Sequence, residues 1–190
     1  VHDLFNGRRI QSCMRQYTER EWQAMVDKSS FSPEEWARIR DSVMMAGLAV
    51  SLAEPSGLIG MLQEGAASAR ALKEIKADDR ASDLFRAIAA EFDTAEGRAG
   101  LRADMSAMLK GKSPTEARRA AIDVLSQAVT ILESRAPFEA AGFKRWLHDV
   151  AVHVAEAAKE GGFLGFGGTP VSDAEKATIA DIDRAIRLEA

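Results

Sequence analysis

The sequence predicts an all-α protein: a single-domain bundle of seven to eight helices with short connections and one glycine-rich loop before the last helix. Two observations carry this. Helix-start signals recur along the chain, and the strict apolar/polar alternation of a half-buried strand is nearly missing. Ser32-Pro33-Glu34-Glu35 and Ser113-Pro114-Thr115-Glu116 each place a capping serine, a proline at the first helical position and a glutamate at the third. Ser172-Asp173-Ala174-Glu175 does the same without the proline. In such a box the serine oxygen accepts an orphan backbone N–H while the glutamate reaches back to the cap.

Taken in order, the first expected helix runs from Glu19 to Lys28 behind Thr18. A second runs from Pro33 to about Ala53, stopped by Glu54-Pro55-Ser56-Gly57. A third, from about Leu58 to Lys76, puts Leu58, Leu62, Gly65, Ala69 and Leu72 on one stripe. Asp78-Asp79 is read as opening a fourth, to Phe92, that buries Leu84, Phe85, Ile88 and Phe92. A shorter helix carries Leu101, Met105, Met108 and Leu109 and ends at Gly111. Pro114 to Arg135 places Ala117, Ala121, Val124, Leu125, Ala128 and Leu132 at helical spacing. Pro137 to about Glu160 ends at Gly161-Gly162, and a last helix from about Asp173 to Leu188 buries Ile179, Ile182 and Ile186. Connections of about two to six residues suit antiparallel neighbours in a bundle. Residues 1–17, rich in arginine and poor in apolar residues, are set apart as an N-terminal arm or start-site extension, with Met14 as the alternative start. The helical domain is then 18–190.

Composition bounds the function. The 190 residues carry 25 basic and 29 acidic side chains, for a formal net charge of -4. That balance makes no electrostatic case for nucleic acid or for an anionic membrane. Cys13 is the only cysteine, so neither an internal disulfide nor a cysteine zinc site is available. No signal-peptide core or membrane-length apolar run is present, and a cytoplasmic location is expected. No cofactor is expected.

Three features compete for a functional role. Val43 to Ala53 is apolar on every face, which suits either a central core helix or a helix meeting a second apolar surface. Met44, Met45 and Met61 are the adaptable side chains that could line a ligand pocket, and the Met44/Met45 side is the expected dimer face. The loop Gly161-Gly162-Phe163-Leu164-Gly165-Phe166-Gly167-Gly168 combines chain freedom with an apolar payload. It reads as a plug for the bundle or as a partner-docking loop through Phe163, Leu164 and Phe166. No lysine follows it as in a P-loop, and no strand precedes it.

His148 and His153 sit roughly 140° apart around one helix, so they do not share a face as paired metal ligands do. His153 falls beside Trp146 and Ala157. Boundary histidines are the simpler reading, and a metal site built on His148 or His153 the sharper one. No nucleophile elbow and no Glu-x-x-His pair occurs.

Phe31-Ser32-Pro33-Glu34-Glu35-Trp36, Ala46-Gly47-Leu48-Ala49-Val50 through Glu54-Pro55-Ser56-Gly57, and Glu160 through Gly168 followed by Val171-Ser172 resemble a family of uncharacterised bacterial helical proteins. The resemblance spans about residues 31–188. It implies a bacterial source and carries no activity. The expected function is therefore non-enzymatic, by protein–protein interaction or self-association. The alternative is a bundle enclosing a small apolar ligand near Met44, Met45, Met61, Trp146 and Phe163.

Overall fold

The computed structural model describes residues 26–53, 81–160 and 171–188, with backbone alone at 158–160. Every regular element among them is helical. They are α1 (Pro33–Ser51), α2 (Asp83–Glu91), α3 (Ala95–Leu109), α4 (Pro114–Arg135), α5 (Pro137–Glu160) and α6 (Asp173–Ile186), with a 3-10 turn at Lys28–Ser30. The expected helix at Leu58–Lys76 and the glycine-rich loop lie outside the described residues, as do Met61, Phe163, Leu164 and Phe166.

All three capping boxes form. The Ser32, Ser113 and Ser172 hydroxyls accept the N–H groups of Glu35, Glu116 and Glu175. Each glutamate returns a carboxylate oxygen to the backbone N–H of its serine, at 2.8 Å in every case. Two expected boundaries move. Most of the helix expected at Glu19–Lys28 lies outside the described residues, and at its expected end Asp27 is extended, its carboxylate capping the 3-10 turn through the N–H of Ser29. The helix ending near Phe92 starts at Asp83 rather than at Asp78-Asp79, since Ser82 takes the cap and accepts the N–H of Phe85.

Helix α1 is the centre of the described structure and packs against each of the other five helices. From Ile39 to Ser51 only Met44 is not fully buried. Its small residues Ala46 and Ala49, like Ala121 and Ala128 of α4, are wholly buried, and small side chains on facing helices permit close approach. The buried hydroxyls of Ser42 and Ser51 donate to the carbonyls of Ile39 and Gly47, which satisfies them without leaving the helix. The core continues through Leu125, Val129 and Leu132 of α4, Phe143, Leu147 and Val150 of α5, and Ile182 and Ile186 of α6. Phe85 of α2 joins it by stacking on Phe143 and Trp146, with ring centroids 6.0 and 5.5 Å away.

The chain closes with α4, α5 and α6 tied at one end. Glu133 accepts from both Lys144 and Arg187, and Lys144 also donates to the Arg187 carbonyl. Burial would raise the Glu133 carboxyl, but these two cations outweigh it and hold the group below its usual value. Arg187 itself ends α6 in the left-handed region at φ 55°, a conformation normally left to glycine or asparagine.

Candidate functional site

Most charged residues of a helical bundle sit on solvated faces, so a charged pair on the buried face of the central helix stands out. Arg40 and Asp41 lie on α1 between Ile39 and Ser42, and both are buried. The Arg40 Nε donates to Asp41 Oδ1 at 2.7 Å, and its Nη2 lies 2.6 Å from the same oxygen. Nη2 also donates to Oδ2 of Asp104, on α3, at 2.8 Å. One guanidinium therefore joins a buried carboxylate of the central helix to a half-exposed carboxylate of a peripheral one. Asp41 titrates at about 6 rather than 3.8. Desolvation drives the rise, Arg40 counteracts it, and the Asp104 charge adds to it.

Helix α3 is shaped to receive this arginine. Gly100, one turn before Asp104, leaves the space that the guanidinium occupies, for a Cβ there would stand 3.0 Å from Arg40 Nη1. Gly97 makes the turn from α2 possible, since a Cβ would lie 2.1 Å from the Glu91 carbonyl oxygen. At the other end Gly111 turns the chain into α4 with φ +73°. Next to Arg40, Glu91 pairs with Lys28, and the Trp36 indole nitrogen faces that carboxylate without a well-formed hydrogen bond. Burial alone would raise the Glu91 carboxyl. Lys28, Trp36 and Arg40 together bring it below its usual value.

Apart from this polar contact α3 is thinly held. Only Gly97 and Leu101 are fully buried, while Met105, Met108 and Leu109 lie against the core half-exposed. From Ala95 to Lys112 the segment carries Arg98, Arg102, Lys110 and Lys112 against Glu96 and Asp104, a net charge of +2 (4 − 2) in a chain of net charge -4. The helix itself is charge-balanced, with Arg98 and Arg102 against Glu96 and Asp104, and the excess cations Lys110 and Lys112 stand in the turn after it.

The residues singled out by sequence fall elsewhere. Met45 is 1% exposed and belongs to the core, and Met44 is half-buried. The Met44/Met45 side of α1, expected as a dimer face, is to that extent taken up by packing within the chain. Trp146 and His153 lie seven residues apart on α5, hence on one stripe. The indole Nε1 and the imidazole Nδ1 are both buried without a hydrogen-bond partner. His148 does not join them: its Nδ1 is 2.7 Å from Asp183 Oδ1 of α6. Among the described residues no three His, Cys, Asp or Glu side chains assemble as a metal-ligand set, and no helix is long and apolar enough to cross a membrane. An open groove of about 450 Å³ runs along α4, lined by Asp123, Ser126, Gln127, Thr130 and Ile131.

The Arg40–Asp41–Asp104 cluster was missed from sequence although a signal existed. Arg40 is four residues after Trp36 and three before Val43, which puts a charge on the stripe those apolar residues bury. Comparison with protein-family models, with curated proteins and with solved structures finds no match, so the site is read from its own geometry.

Proposed function

We propose that the chain is a non-enzymatic helical interaction module that docks an acidic, amphipathic segment of a partner protein on α3. The observation that carries this reading is the partly buried stripe Met105, Met108 and Leu109 on a thinly held helix that Lys110 and Lys112 follow directly. Methionine side chains adapt to varied apolar anchors, an amphipathic helix binds through apolar residues at helical spacing, and cations beside the stripe favour an acidic flank. Self-association is the other form of the same reading, with a second copy as the partner.

The test uses two labelled model peptides of about 18 residues, both with leucines at i, i+3, i+4 and i+7. One is flanked by glutamates and the other by lysines. Fluorescence anisotropy should show saturable binding of the glutamate peptide, at least about 10-fold weaker binding of the lysine peptide, and loss of both with the double substitution Met105→Glu/Met108→Glu. Equal affinity for the two peptides, or binding untouched by the double substitution, would refute α3 as the docking face. A dimer by light scattering that the same substitution dissociates would assign the face to a second copy.

A second reading, a bundle that binds a small apolar ligand, is favoured by Trp146 and His153. A buried polar group without a partner costs about 1–3 kcal/mol, and a ligand with one hydrogen-bonding group and an apolar body would relieve it. Native mass spectrometry after gentle lysis tests this: a mass adduct lost in Trp146→Phe supports it, and a bare chain counts against it.

A further inference from the structure

We propose that Arg40, Asp41 and Asp104 form a proton-controlled latch, in which ionisation of Asp41 loosens α3 from the central helix and protonation fastens it. The inference concerns the regulation of the α3 surface proposed above. Its use by a partner rests on that reading, but the latch itself does not, because the movement of α3 is measured without any partner.

The argument is one of a single cation shared by two anions. Arg40 is buried and its guanidinium is directed at Asp41 through Nε and Nη2, with Nη2 reaching Asp104 as well. While Asp41 is charged, Asp104 competes with it for Arg40 and repels it. When Asp41 takes up a proton, Asp104 becomes the nearest full counter-charge to a buried guanidinium, and leaving it unpaired is unfavourable. Linkage gives the same sign. With α3 in place, Asp41 faces the Asp104 charge, which favours its protonated form. If α3 lifts away, Asp104 leaves with it, so the open form favours the carboxylate. A proton that binds the closed form more tightly must shift the equilibrium toward closure.

The charged groups around Asp41 come from few elements. On its own helix Arg40 lowers its pKa, and on α3 Asp104 raises it. Glu91 of α2, paired with Lys28, acts on Arg40 rather than on Asp41. The charged groups among the leading causes of the Asp41 shift are Arg40 and Asp104. The surrounding backbone permits motion. Gly111, at φ +73° with open space around it, sits between α3 and α4, and α3 gives up only Gly97 and Leu101 as fully buried residues when it lifts.

Hydrogen–deuterium exchange by mass spectrometry, comparing variants at one pH, tests the latch. At pH 7.5 Asp41→Asn, which mimics the protonated acid, should raise the protection of α3 amides about 10-fold, with a difference of less than about 2-fold at pH 4.5. In the Asp104→Asn background, α3 protection should be lower than in the parent, and the factor gained from Asp41→Asn should shrink. Equal factors in the two backgrounds would show that Asp41 affects stability without acting through α3, and would overturn the proposal. Unchanged α3 protection in Asp41→Asn at pH 7.5 would do the same. Should a variant not fold, the parent protein alone decides it. Protection of α3, corrected for intrinsic exchange, must fall relative to α4 between pH 5 and pH 7.5, and a constant ratio would overturn the proposal.

Discussion

Substituting Asp41 by asparagine should make the whole protein more stable at neutral pH. The carboxyl titrates at about 6 in the folded chain against 3.8 for its ordinary value. A shift of about two units corresponds to about 3 kcal/mol between the two protonation states. The sign follows from linkage. Between pH 4 and pH 6 the folded state keeps a proton that the unfolded chain releases, so the contribution of this group falls as pH rises and is fully lost above about 6. Asparagine keeps the shape of the protonated acid and does not ionise. The gain at pH 7.5 should be smaller than the full linkage value, because solvent screens a carboxyl that is not wholly withdrawn from water, and about 1–2 kcal/mol is expected. Urea unfolding followed by tryptophan fluorescence, at pH 7.5 and at pH 4, reads it directly. A raised midpoint at pH 7.5 that converges with the parent at pH 4 is the expected result. A midpoint lowered by the same amount at both pH values would refute the reasoning, since it would mean that the Asp41 charge stabilises Arg40 by more than its burial costs. Glu91 and Glu133 work in the opposite direction. Their carboxyls are held low, so their stabilisation is present above their usual range and fades as pH falls through the folded-state values. The parent protein should therefore have its stability maximum between these two regimes.

Three further expectations concern the scaffold. Phe143→Ala should cost about 3–5 kcal/mol in urea unfolding, because the ring is wholly buried and packs edge-on to Trp146 at 5.7 Å; a cost below about 1.5 kcal/mol would show that the aromatic cluster collapses around the gap. Gly97→Ala should destabilise the α2–α3 turn, since the new methyl meets the Glu91 carbonyl oxygen, and exchange should speed up in α3 more than in α4; unchanged exchange would contradict the close approach. Ser113→Ala should cost about 1 kcal/mol through loss of the reciprocal box with Glu116, measurable as a lowered thermal midpoint, and Ser113→Asp should retain most of that stability.

Much of the helical layout was legible because its determinants are local. A serine three residues before a glutamate, with a proline between them in α1 and α4, needs no tertiary partner to stop a helix from extending backwards, and α1, α4 and α6 begin where those boxes stand. Proline at the head of α5 acted the same way. The start of α2 differs from the expected Asp78-Asp79 because Ser82 has Phe85, not a glutamate, at its third position, so the local pattern does not rank Ser82 above those aspartates. The sequence does not mark the start of α3 for a similar reason. Thr94 caps it, with Gly97 at the third position, and a helix holding two glycines has low propensity of its own.

Several helix starts, the apolar stripe of α4, and Ile182 and Ile186 of α6 were thus determined by the sequence itself, through capping chemistry and 3.6-residue periodicity, whereas Ile179, expected to be buried with them, is only half-buried. Which side of α1 faces which neighbour was decided only by the tertiary structure, since a helix apolar all round carries no directional pattern. The same holds for the cluster joining Arg40 and Asp41 to Asp104, some 64 residues away along the chain. Charges so far apart meet only when helices pack, and the packing that buries Asp41 is also what moves its proton affinity into the range where pH can act on it.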